Sequence, residues 1–158
     1  MIAEMLQGLY PHLLAFHGLL RWVVLAAAIV AIAVAVSGWS GKKPAGPALR
    51  RAGTFFVVFM DLEFLVGLVL YFGASPLIKA AFHNMAEAMK NHELRFFTVE
   101  HVTYMLLAVV CAHVGAALSK RARTVSMKYR GAAIAYCLSL LLMVAGIPWW
   151  RPLLRFGS

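Results

Sequence analysis

Seven residues with reactive side chains lie in or at the mouth of stretches otherwise built of Leu, Val, Ala, Ile and Phe: His17, Arg21, Asp61, Glu63, Glu100, His101 and His113. His17 and Arg21 are four residues apart, so on a helix they share one face. The types in the set are imidazole, guanidinium and carboxylate. Imidazole ligates haem iron, a guanidinium anchors carboxylate or phosphate, and a carboxylate at membrane depth exchanges protons. An ionisable group inside an apolar segment is expensive and normally faces the interior of a helical bundle. The chemistry therefore depends on which elements bring these residues together.

The 158 residues are 63% hydrophobic and only 13% charged, with a formal charge of +9, and the mean hydropathy is +0.81. Soluble domains carry roughly 25% charged residues, so the composition is that of an integral membrane protein. A span needs about 20 mostly apolar residues. Four stretches qualify: residues 12–36, 53–72, 97–118 and 132–149. Short linkers between them predict an all-α, up-down-up-down four-helix transmembrane bundle forming a single membrane domain over residues 1–158. The first run has no basic segment before it and is longer than a signal-peptide core, which predicts a retained helix.

The basic residues gather between the apolar runs, where they set topology, so nucleic acid is not an expected partner. Lys42, Lys43, Arg50 and Arg51 fall in the first connection, and Lys120, Arg121, Arg123, Lys128 and Arg130 in the third. The opposite side has Lys79, Lys90, Arg95, Arg151 and Arg155. The positive-inside rule then places the first and third connections in the cytoplasm and both termini outside. Within the second connection, Ser75-Pro76 is a helix start, a capping side chain followed by proline at the first position. Ile78, Phe82, Met85 and Met89 recur after it at helical spacing, predicting a short helix lying in the interface as a lid or a spacer.

Counting 1.5 Å per residue puts His17 one to two turns inside helix 1 and His101 about one turn inside helix 3, at comparable depths. The pair is a candidate for axial ligation of one haem between those helices; the alternative is two histidines bonded to backbone or hydroxyl groups. Arg21 needs a carboxylate at its depth and is expected to pair with Asp61 or Glu63. That pair either only locks helix 1 to helix 2, or Arg21 binds a haem propionate or an anionic head group while one acid is free to exchange protons with a quinone or substrate. Glu100 points about 100° away from His101 around the helix and is assigned to Arg95 or Arg151. His113 is about 18 Å further along the axis, so it cannot serve the same iron. It is either a satisfied polar group or a ligand in a five-coordinate or mixed-ligand cofactor site.

Cys111 and Cys137 lie inside apolar runs without a Cys-x-x-Cys spacing, which argues against disulfides and thiolate metal sites. No motif surrounds Ser139 or Cys111 to make either a hydrolase nucleophile. The broken helices and inverted repeat of many transporters are not evident.

The segments HGLLRWVVL, DLEFLVGLVLYFGASPL, MKNHELRFFTVEH and IPWW, in that order, carry a resemblance. Over nearly its whole length the chain resembles small four-helix bacterial membrane proteins, common in Bacteroidetes, that are labelled cytochrome b or cytochrome b561-like. LRFFTVEH and the His-x-x-x-Arg of His17 and Arg21 are its most specific parts. The resemblance implies a b-type haem held by His17 and His101 and a role in membrane electron transfer; the leading reading is one such haem near the outer face of a bacterial inner membrane, passing electrons between a quinol pool and a partner at that face. The larger cytochrome b561 layout has two histidine pairs, whereas helices 2 and 4 have no histidine here. A second functional class stays open: a non-catalytic subunit of a respiratory or photosynthetic complex, or a homo-oligomer, whose polar residues fix packing.

Overall fold

Four continuous helical rods are long and apolar enough to cross a membrane: Tyr10–Ser40, Pro47–Ala74, His92–Arg121 and Val125–Gly146. The structure is a computed structural model that describes residue 5 and residues 8–41 and 46–152; Lys42, Lys43 and Arg155 lie outside the described residues. Helix α1 is Tyr10–Ser40. Helix α2 is Pro47–Val69, prolonged by a π-turn over Leu70–Ala74. Three short helices follow, α3 Pro76–His83, α4 Met85–Ala88 and α5 His92–Arg95. A second π-turn, Phe96–Glu100, joins α5 to α6, His101–Arg121, and α7 is Val125–Gly146.

The helix boundaries have local causes. Pro47 begins α2 at a position where its missing N–H removes nothing from the helix. Thr124 caps α7 by accepting from the Met127 amide at 3.2 Å, so that helix begins seven residues before the start expected at residue 132. It ends at Gly146 rather than 149, because Ile147 precedes a proline and is extended. Ser75 caps α3 as its sequence predicts, accepting from the Ile78 amide at 3.4 Å. The expected single interfacial helix is broken at Asn84, whose backbone leaves the helical region while its side chain caps α4. Asparagine favours such local side-chain bonds over continued helix. Ile78, Ala81 and Ala88 are consequently the buried positions, whereas Phe82 and Met85 are exposed.

Each rod packs on its neighbours in a closed ring: α1 on α2, α2 on α6, α6 on α7, and α7 back on α1. The first and third spans therefore stand diagonally across the bundle. Small residues permit the close approach of α6 and α7. Ala108, Ala112 and Gly115 on one helix face Ala132, Tyr136 and Ser139 on the other. Association in lipid relies on such packing, because burial against another helix gains little over burial in hydrocarbon. Tyr136 is fully buried. A methyl group at Gly53 or Gly115 would overlap its side chain, so one tyrosine keys α7 to both α2 and α6. Ser139 Oγ donates to the Ala108 carbonyl at 2.7 Å.

Large apolar side chains such as Phe55, Leu65, Phe72 and Leu141 point outward from the bundle. That surface, with the length of the four rods, is the surface of a membrane-spanning helical bundle. Arg50 and Arg51 lie at one end with Lys120, Arg121, Arg123 and Lys128, and the short helices α3–α5 close the other.

Candidate functional site

Beneath α3, the first and third spans bring their histidines together across the diagonal. The ring centroids of His17 and His101 are 6.3 Å apart with the ring planes at 80°. Equal depth, counted along two separate helices, therefore corresponds to an actual juxtaposition. His101 lies at the junction of the Phe96–Glu100 π-turn and α6, where its amide bonds the Phe96 carbonyl five residues back. Single π-turns inside helices are frequent at functional sites. His101 Nδ1 bonds the Gly146 carbonyl at 2.7 Å. A carbonyl only accepts, so that nitrogen carries the proton, and in the neutral ring Nε2 keeps its lone pair.

Glu63 joins from α2. It is buried, and its Oε1 lies 3.2 Å from His17 Nδ1. This is an ion-pair contact without the alignment of a hydrogen bond, and Glu63 Oε2 is buried with no hydrogen-bond partner among the described residues. Arg21 is one turn below His17 and within electrostatic range of both Glu63 and His101. Of the two carboxylates considered for Arg21, Glu63 is thus the one in its neighbourhood.

Asp61 is elsewhere. Two residues of helix rotate a side chain by about 200°, and Asp61 lies on the outer surface of the bundle with its Oδ1 2.9 Å from His113 Nε2. His113 is therefore a partner of Asp61, remote from the His17–His101 pair. Glu100 accepts from Arg95 Nε at 2.8 Å, one of its two anticipated partners. Arg151 Nε donates to Glu93 at 2.7 Å, and its guanidinium stands 4.5 Å from the Phe97 ring centroid.

A cavity of about 130 Å³ opens beside the histidines, lined by His17, Arg21, Gly67, Tyr71, His101 and Arg151 among others. A smaller one, about 40 Å³, lies on the Glu63 side and shares His17, Gly67, Tyr71 and His101 as walls. Gly67 is the gap through which the histidine pair is seen from α2. A Cβ there would meet only His17 Cε1, at 3.3 Å, and otherwise open space.

Tyr71 was not a candidate from sequence. Its hydroxyl donates to the Thr98 carbonyl at 2.8 Å, joining the π-turn at the end of α2 to the one before His101. No sequence signal separates it from an interfacial anchor, since tyrosine belongs at a helix end for either reason. Gly146 contributes through its carbonyl, which every residue type has, so it too was illegible.

No cluster of three or more His, Cys, Asp or Glu suited to a metal ion occurs among the described residues. A bis-imidazole site needs only two donors. The two rings stand edge-on with centroids 6.3 Å apart, and a carbonyl on the far ring nitrogen, as His101 has, is the usual second partner of a ligating histidine. The enclosed volume is below the roughly 300–1,000 Å³ of typical ligand pockets, so a macrocycle enters only if the walls part.

No known protein family, curated protein or solved structure matches the chain.

Proposed function

We propose that this protein carries electrons in a bacterial cytoplasmic membrane, between the quinone pool and a partner at the end closed by α3–α5, using one b-type haem. The observation that carries the reading is the meeting of His17 and His101 across the bundle, with ring centroids 6.3 Å apart and His101 Nδ1 occupied by a carbonyl. The likeness of LRFFTVEH and HGLLR to chains labelled cytochrome b points the same way, as does the bundle core, a common place for cofactors. By the positive-inside rule the basic end is cytoplasmic and both termini are outside.

A bound haem would supply a one-electron iron couple tuned by its axial ligands and surroundings. The chain's own part is to position and to move protons. The Gly146 carbonyl fixes the tautomer and orientation of His101. Arg21 and Arg151 both line the cavity and are suited to bind propionate or another anionic group. Glu63, with one oxygen lacking a hydrogen bond among the described residues, accepts a proton from a quinol. Asp61, held by His113 on the outer surface, has no part in this step.

The test is an oxidised-minus-reduced visible spectrum of protein purified in detergent from haem-replete cells, with haem quantified per chain. One low-spin b-type haem is expected, lost in His17→Ala and in His101→Ala while both variants still insert. Unchanged haem in His101→Ala overturns the ligand assignment. A colourless wild-type protein that copurifies with larger subunits selects the second reading, a non-catalytic subunit of a respiratory or photosynthetic complex, which the small volume of the cavity favours.

A further inference from the structure

The Asp61–His113 pair lies where a lone bundle should have no polar surface. Pro47 and Ala74 bracket Asp61 at about 20 Å on either side. In a hydrocarbon layer about 30 Å thick this is the middle of the membrane. His113 is about 12 Å from the end of α6 at Arg121. The side chains are nevertheless 42% and 51% exposed. Ionisable groups at this depth almost always face a bundle interior or a water-filled cavity, yet these two point away from the chain's own core.

The pair is also incomplete. Asp61 Oδ1 is taken by His113 Nε2, which leaves a second carboxylate oxygen and a second ring nitrogen on two half-exposed side chains. One group accepts and the other donates, so the patch complements itself. In a two-fold contact the same patch meets itself, residue i against j and j against i. With His113 as the imidazolium, in which both ring nitrogens donate, Asp61 Oδ2 of each chain then accepts from His113 Nδ1 of the other, and the two carboxylates and two imidazolium rings balance in charge. Val58 and Val110, one turn away on α2 and α6, are exposed beside them and supply apolar surface for the same contact.

We infer that the α2–α6 face is the interface of a two-fold homodimer, closed by a ring of two Asp61 and two His113 side chains at the bilayer centre. This does not depend on the cofactor reading, because the face is turned away from His17, Glu63 and His101.

The experiment reads the mass of the full chain in lipid nanodiscs by native mass spectrometry, and disulfide cross-linking in membranes. Cross-linking uses a Cys111→Ser, Cys137→Ser background carrying Val58→Cys, Val110→Cys or, on the far side of the bundle, Leu141→Cys. Expected are twice the 17.3 kDa monomer mass, cross-linked dimer from Val58→Cys or Val110→Cys, and none from Leu141→Cys. Adding Asp61→Leu with His113→Leu should abolish the cross-link, since two leucine faces have no preference for each other over lipid. A monomeric wild type, cross-linking at position 141 alone, a dimer that survives the double leucine variant, or a different protein occupying this face in one-to-one complex each overturns the proposal. The cysteine variants keep Asp61 and His113, so the result stands even if the double variant fails to insert.

Discussion

Filling Gly67 separates a site built to receive a group from a site that is only packing. Its Cβ position looks into the cavity and meets a single atom, His17 Cε1, at 3.3 Å. Carbon atoms are comfortable at about 3.5–4.0 Å, so Gly67→Ala requires the ring to give by roughly 0.2–0.7 Å. The backbone effect has the opposite sign: alanine is better than glycine inside a helix by about 0.8–1.0 kcal/mol. The net prediction is a fold as stable as wild type or slightly more so, with Tm unchanged or raised by about 2–4 °C. Gly67→Leu adds three further carbons inside a space of about 130 Å³ and should exclude any flat ring from the histidine pair.

The assay combines haem per chain after saturation with haemin and thermal unfolding in the same detergent. A graded loss of haem from glycine through alanine to leucine, without loss of stability in the alanine variant, supports a receiving cavity. Wild-type haem content in Gly67→Leu refutes the argument. So does a strongly destabilised Gly67→Ala, because the glycine would then serve close helix contact, as Gly53 and Gly115 do.

Gly115→Leu should destabilise by about 1–3 kcal/mol or prevent folding, because its side chain would occupy the space of the Tyr136 ring; thermal unfolding reads the loss. Ser139→Ala removes the fully buried bond to the Ala108 carbonyl and should cost about 0.6 kcal/mol, at most about 1.7, the range of such bonds in membrane helices. Thr124→Ala deletes the cap of α7 and should cost about 1 kcal/mol of stability without altering haem content. Glu63→Gln keeps the size of the side chain and removes its charge. It should slow quinol oxidation while leaving haem bound, and an unchanged rate would remove Glu63 from proton transfer.

What could be read from the sequence was depth, because depth is counted along a rod of fixed rise. That count placed His17 level with His101 and brought both Asp61 and Glu63 to the level of Arg21. The four spans were equally legible, since their apolar character continues around the helix and needs no phase. Their ends were less so. Thr124 moved the start of α7 into a segment with Lys128 and Arg130, cations that a hydropathy reading excludes although their long stems tolerate the boundary.

Azimuth is a different quantity, and it decided the roles of the carboxylates. Asp61 and Glu63 are equivalent in depth to within about 3 Å, so counting cannot choose between them for Arg21. Their two-residue offset does say that both cannot face one site. Which of them faces inward follows from the closed ring of contacts, α1–α2–α6–α7, and no single helix contains that information. The π-turns compound the difficulty: the one at Phe96–Glu100 changes the phase of everything before it relative to α6, and with it the direction of His101 relative to Phe97 and Arg95. The same reasoning gives the outward acid a meaning. Had Asp61 turned inward, its charge would be one more buried group near Arg21. Turned outward and bonded to His113, it is the residue on which the proposed two-fold contact rests.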